Sequence, residues 1–237
     1  MRTLFLCLIV ISAGCAGNNE IPNTLTEQEK AEGWQLLFDG KTTDGWRGAL
    51  RDSFPAKGWL VHDGVLEVLP REEGGGGGDI VTEEQFGDFE LVFDFKLSEG
   101  ANSGVKYYVT ENGYGKGALG PEYQLLDDVL HPDAKLGKEG NRTLASLYDL
   151  IPAADKPFNG INQWNTGRVV ARQNHVEHWL NGIKVLEYER GSDHYRRLVA
   201  ESKFNQWTDF GEATRGNILL QDHRDRAWFR NIKIKPL

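Results

Sequence analysis

Two-residue turns set between alternating runs constrain this chain more than any other feature. His175-Val176-Glu177-His178-Trp179-Leu180 leads into Asn181-Gly182 and then Ile183-Lys184-Val185-Leu186-Glu187-Tyr188, and Trp59–His62, Asp63-Gly64 and Val65–Leu69 repeat the arrangement. Asn-Gly and Asp-Gly readily take the paired positive φ values of a type I′ turn, whose twist matches antiparallel strands, so both segments are predicted as hairpins. Strand-like runs recur at Trp34–Phe38, Phe89–Leu97, Gly104–Val109, Glu122–Leu126, Asn165–Arg172, Gly216–Asp222 and Ala227–Lys235. Many short strands without amphipathic helices between them predict an all-β fold, a two-sheet jelly-roll sandwich.

The amino end follows a different grammar. Met1-Arg2 precedes a short apolar run, Leu4–Ile11, and then Ser12-Ala13-Gly14-Cys15. A run this short behind a positive end reads as an export signal rather than a membrane span. Ile11-Ser12-Ala13-Gly14-Cys15 resembles a bacterial lipobox, in which the cysteine thiol is alkylated by a diacylglyceryl group after cleavage. Residues 1–14 are therefore expected to leave as a lipoprotein signal peptide. Residues 15–32 read as a tether with one helical turn near Thr26–Lys30, and 33–237 as one domain. The expected location is the bacterial cell envelope, with the membrane engaged only through lipid on Cys15. Loss of Cys7 with the signal and acylation of Cys15 would leave the domain no thiol, since the chain has 2 cysteines. That excludes disulfides, thiolate catalysis and cysteine-bound metal from the reading. A formal net charge of −8 argues against a nucleic-acid partner, which needs a basic face, and fits an uncharged carbohydrate better.

Two segments interrupt the strand rhythm. Gly74–Gly78 is five glycines in a row with no lysine behind it, so it reads as a loose hairpin end rather than a phosphate loop. No other cofactor motif is present, and no cofactor is expected. Asp193–Phe210 reads as a decorated loop with a weak helical period around Tyr195–Val199.

Strand parity sorts the candidates for chemistry, because alternate residues face the core and the opposite surface. Val105 and Tyr107 are expected in the core, with Lys106 and Tyr108 on the outer face. Tyr123 and Leu125 are expected inside, with Glu122 and Gln124 together on the polar face, about 7 Å apart. Ser146 and Tyr148 flank an inward Leu147, and Gln221 shares a face with His223. On adjacent strands, Lys106, Glu122, Gln124, Tyr148 and His223 would converge on one cleft supplying an acid, a base and hydrogen-bonding groups for a sugar. His223, between two aspartates in Gln221-Asp222-His223-Arg224-Asp225, suits a base oriented by a carboxylate. Trp34, Trp59 and Trp179 read as core, whereas Trp46, Trp164 and Trp207 lie in turn-rich segments and suit stacking on sugar rings. His131 and Asp133 have cation-binding chemistry but no placed third ligand, so no metal is assigned.

The segments Gly33–Gly40 with Gly45-Trp46, Gly78–Thr82, Ala101–Val109, Glu122–Asp128, Ser146–Leu150, His178–Gly182 and Leu220–His223 with Trp228–Ile232 together resemble the 3-keto-disaccharide hydrolase family. That resemblance, in order from Gly33 to the end of the chain, implies a concanavalin-like jelly roll. It also implies action on glycosides whose sugar carries a ketone at C3. Such a ketone acidifies the C2 hydrogen, so a base can form an enolate, C1 can lose its leaving group and water can add back. The chemistry needs a base, an acid and a donor for the enolate oxygen. For that chemistry His223 or Glu122 is the expected base, Tyr148 or Glu122 the expected acid, and Lys106 with Gln124 the expected partners for the oxyanion and hydroxyls. Tyr108, Asp127, Gln221, Trp46 and Trp164 complete the expected substrate contacts.

Two other readings remain open at this level. A retaining glycosidase would carry two facing carboxylates about 5.5 Å apart, and Glu122 with Asp127 has the wrong parity for that. A non-catalytic carbohydrate-binding module would present an aromatic platform without clustered titratable groups.

Overall fold

Strict alternation in the central strand sets the architecture. In Phe89–Leu97 the residues Phe89, Leu91, Phe93, Phe95 and Leu97 are buried while Glu90, Val92, Asp94 and Lys96 are only partly covered. One face of this strand must therefore meet a second layer, and each fully buried phenylalanine contributes about 1.5–3 kcal/mol. The computed structural model describes residues 21–111, 117–207 and 209–237. The expected export signal and Cys15 lie outside the described residues.

The strands are β1 (Gln35–Leu36), β2 (Trp46–Gly48), β3 (Trp59–His62), β4 (Val65–Val68) and β5 (Ile80–Thr82). The central strand is β6, followed by β7 (Asn102–Glu111), β8 (Ala118–Leu119) and β9 (Glu122–Leu126). Then come β10 (Asn165–Arg172), β11 (His175–Leu180), β12 (Ile183–Glu189), β13 (Asn217–Leu220) and β14 (Ala227–Pro236). One antiparallel sheet runs β12-β11-β10-β6-β14-β4-β3 with β1 on β14, and the other runs β2-β5-β13-β7-β8 with β9 on β7. The two curled sheets form a jelly roll around a single large aromatic core. Both predicted hairpins are present, and positive φ at Asp63, Gly64, Asn181 and Gly182 gives their type I′ turns.

The segment read as a tether is docked where it is described. Asn23 is buried; its side chain accepts the Asn231 N–H and donates to Gly64 O, and its own backbone N–H donates to Asn231 Oδ1. The short helix α1 (Glu27–Ala31) opens on a Thr26/Glu29 capping box, and Glu29 pairs with Lys233 of β14. The decorated loop contains a real helix, α2 (Asp193–Ala200), capped by Ser192 and anchored through buried Tyr195 and Val199. Two apolar anchors four residues apart make a face too narrow for periodicity to reveal it.

The glycine run is a correction to the sequence reading. A Cβ on Gly75 would lie 2.2 Å from Leu69 O, and one on Gly77 would lie 2.0 Å from Lys57 O. The run is a close-packed backbone crossing that side chains would block. It hands the Gly78 N–H to Asp222 Oδ2 at 2.9 Å, while Asp79 Oδ1 accepts the Asp222 N–H at 2.9 Å. Those two bonds fix the start of the loop that carries His223.

Candidate active site

The outer face of the smaller sheet holds a cleft enclosing about 660 Å³, part of it open solvent. Its floor is Asn102 and Lys106 of β7 with Glu122 and Gln124 of β9, and its walls include Tyr148, Gln221 and His223. Six of the residues singled out by parity or resemblance therefore meet: Lys106, Glu122, Gln124, Tyr148, Gln221 and His223. Strand pairing explains it, because Lys106 sits opposite Glu122 and Gly104 opposite Gln124.

Glu122 is the deepest ionisable group. A Cβ on Gly104 would lie 2.2 Å from Glu122 Oε1, so the carboxyl occupies the space that glycine leaves empty. Burial raises its pKa, opposed by the positive charges of Lys106 and Lys203. Lys106 Nζ is 4.0 Å from Glu122 and 3.7 Å from Asp79, spacings that leave the ammonium poised between two acids rather than locked on one. With its amide turned to suit its neighbours, Gln124 donates to Ser103 O at 3.0 Å and to Glu122 Oε1 at 3.2 Å. Gln221 lines the wall, though its Oε1 is itself buried, with no partner among the described residues.

Tyr148 is held from behind. Its hydroxyl donates to Asp133 Oδ2 at 2.7 Å, and Asp133 pairs with Arg142 at 3.0 Å. Burial, then the Asp133 charge, pushes the phenol well above its usual range, so Tyr148 stays a neutral phenol. Arg142 also grips Asp149 at 2.6 Å, and Asp149 accepts the Lys203 N–H at 2.8 Å, tying the segment after α2 to the Tyr148 loop. Under the floor, buried His178 joins the sheets, with Nε2 2.8 Å from Tyr107 Oη and Nδ1 2.9 Å from Ala145 O.

Four expected contacts fall elsewhere. Tyr108 turns inward because β7 bulges there: its φ is +50°, and the pairing with β13 shifts register between Asn217 and Leu219. The ring packs on Phe89 at 5.5 Å and beneath the Arg190 guanidinium at 3.7 Å. Asp127 closes the turn after β9, accepting the N–H groups of Gly100, Val129 and Leu130. Trp46 is core, its indole donating to Leu37 O. Trp164 lies against Arg230 and Lys96 on the outer face of the larger sheet. Trp34 and Trp179, expected in the core, are only half-buried, whereas Trp59 is buried. His178, not Trp179, points inward on β11.

Sequence reasoning missed Asn102, Leu119, Lys203 and Phe204, which line the cleft beside Trp207. Lys203, Phe204 and Trp207 come from a connection without periodicity, where the available signal was a cation and two aromatics in a long polar insert. His131 does gain neighbours, but they are His223 and Asp225, while Asp133 serves Tyr148 and Arg142.

A jelly roll with titratable and hydrogen-bonding groups gathered in one polar cleft suits a carbohydrate-active hydrolase, and solved structures agree on the fold. A Parabacteroides distasonis protein crystallised as a candidate glycosyl hydrolase is 33% identical, with TM-score 0.78 over 92% of this chain and 100% of its own. A second from the same organism is 28% identical, with TM-score 0.64 over 86% and 99%. Residues 33–235 match the model of the 3-keto-alpha-glucoside-1,2-lyase-like domain. A 3-keto-disaccharide hydrolase from Bacteroides thetaiotaomicron is 39% identical over 87% of this chain and 79% of its own length. The chain belongs to the 3-keto-alpha-glucoside-1,2-lyase-like family.

Proposed function

We propose that this enzyme cleaves 3-keto-glycosides by removing the C2 proton, eliminating the C1 substituent and hydrating the resulting enone. The observation that carries the reading is the buried Glu122 carboxyl, seated in the gap at Gly104 with Lys106 4.0 Å away and His223 on the cleft wall. A carboxyl whose pKa burial has raised can hold a proton for the departing oxygen, so Glu122 takes the acid role. Tyr148, its hydroxyl committed to Asp133, is better suited to orienting a hydroxyl than to releasing a proton.

His223 takes the base role. Its hydrogen bond to Asp225 raises its pKa above the usual imidazole value, which makes it a stronger base. The C2 proton passes to His223 and the electron pair moves to the ketone oxygen, where Lys106 can stabilise the enolate, while Gln124, its amide hydrogens given to Ser103 O and Glu122 Oε1, holds the carboxyl in place. The pair then returns to form the C1–C2 double bond as the C1–O bond breaks, with Glu122 protonating the leaving oxygen. Water adds at C1 and C2 is reprotonated, so the net change is hydrolysis.

The direct test is turnover of a 3-keto-glucoside and of the plain glucoside in deuterated water. Deuterium at C2 of the product from the ketone alone supports the reading. Cleavage of the plain glucoside without deuterium, or near-normal turnover in both His223→Ala and Glu122→Ala, removes it.

A further inference from the structure

The groups packed around the His223 ring do more than the base role by itself requires. His131, His223 and Asp225 each bring one nitrogen or oxygen within 4.8 Å of the others. They reach this point from the start of the 3-10 turn Pro132–Lys135 and from the loop between β13 and β14. The hydrogen bonds around them decide which nitrogens carry protons.

His131 Nδ1 accepts the backbone N–H of Asp133 at 3.2 Å. A neutral imidazole has one N–H, so the proton of His131 must sit on Nε2, the nitrogen 3.9 Å from Asp225 Oδ2. The same oxygen accepts the Asn102 backbone N–H at 3.1 Å and lies 3.3 Å from His223 Nδ1. An oxygen faced by donors on its other sides is an acceptor for the third as well, which places the His223 proton on Nδ1. The remaining nitrogen of His223, Nε2, then keeps its lone pair, on a half-exposed ring that lines the cleft. We infer that Asp225, backed by the fixed tautomer of His131, is a positioning residue that holds His223 as its Nδ1–H tautomer with Nε2 free to take a proton.

The inference rests on the proposed role of His223 and adds to it the mechanism by which that ring is prepared. Asn102 contributes twice, its side chain in the cleft floor and its N–H on the orienting carboxylate. The same three atoms also have the spacing of a two-histidine, one-carboxylate cation site. A cation would need the Nε2 lone pair of His131, and the Asp133 N–H holds the ring in the opposite tautomer. Cation binding is therefore an outcome that overturns the inference.

The test reads the rings themselves. Protein labelled with ¹⁵N-histidine is examined by NMR, with His131→Gln and His223→Gln variants assigning two of the 6 histidines. At a pH where the rings are neutral, His223 is expected protonated on Nδ1 and His131 on Nε2. The charged or titratable groups facing His223 are Asp225 on its own loop, His131 and Asp133 from the 3-10 turn, and Glu122 from β9. In Asp225→Asn the titration midpoint of His223 should fall by roughly one unit, as expected on removing one adjacent negative charge.

Activity on a 3-keto-glucoside supplies the second readout. Asp225→Asn should lower kcat by about a hundredfold or more while leaving KM within a few-fold, and should move the acidic limb of the rate profile to lower pH. A merely structural Asp225 would lower the melting temperature without moving that limb. An Nε2–H tautomer in wild-type His223, an unchanged midpoint in Asp225→Asn, or stoichiometric Zn²⁺ or Mn²⁺ perturbing both rings reversibly by chelation each overturns the inference. Correct tautomers in a protein that leaves the 3-keto-glucoside intact would instead remove the functional reading on which the base role depends.

Discussion

Replacing Gly104 with alanine separates the chemistry of the cleft from the stability of the fold. The added Cβ would lie 2.2 Å from Glu122 Oε1, 2.9 Å from Cδ and 3.0 Å from Cγ, with no backbone atom among these nearest neighbours. Ordinary contact begins near 3.4 Å, so the carboxyl oxygen must retreat by about 1.2 Å. The end of a side chain can make that move without rearranging the sheet. Strand pairing between β7 and β9 should therefore survive, and the melting temperature should stay within a few degrees of wild type. Displacement of a catalytic group by about 1 Å costs on the order of a hundredfold in rate, or about 2.7 kcal/mol in the barrier. Steady-state kinetics on a 3-keto-glucoside should show that loss mainly in kcat, with circular dichroism unchanged. Wild-type kcat in a folded Gly104→Ala protein would refute the claim that the seat of Glu122 sets its function.

Other perturbations probe separate parts of the argument. Glu122→Gln should slow substrates with alcohol leaving groups by roughly 10²–10⁴ but spare those with acidic phenol leaving groups, and an equal loss for both would refute the acid role. It should also abolish the fall in activity as pH rises through the raised pKa of Glu122. Burial depresses His178 to about 4, so its proton binds the unfolded chain first. Its contribution is complete above the unfolded value of about 6.5 and declines as pH falls toward 4, by on the order of 3 kcal/mol at most. Urea melts over that range should show a shallower decline in His178→Gln, and parallel slopes would contradict the assignment. Trp164→Ala, on the far sheet, should keep kcat/KM within about twofold. Palmitate labelling of cells expressing wild type and Cys15→Ser should mark only the former if Cys15 is the lipidation site.

Alternation and turn chemistry are local properties, and they carried much of the way. The Asn181-Gly182 and Asp63-Gly64 turns, the inward phenylalanines of β6 and the sheet-on-sheet architecture all follow from nearest-neighbour rules. The same parity brought Lys106 and Glu122 to one face, because their pairing across β7 and β9 leaves no alternative. The rule failed at Tyr108, where one bulged residue with positive φ reversed the faces, and at Trp179, whose neighbour His178 turned inward to bond Tyr107. It had nothing to say about Gly74–Gly78, whose role depends on the Lys57 and Leu69 carbonyls it must pass, or about Lys203 and Phe204, delivered by a loop. A sequence of this kind determines which segments become strands and which side chains share a surface, since those depend on spacing along the chain. Only the tertiary structure decided that His131 and Asn102 join His223 around one Asp225 carboxylate oxygen, because contacts between residues about 90 to 120 positions apart are set by how the sheets close on each other.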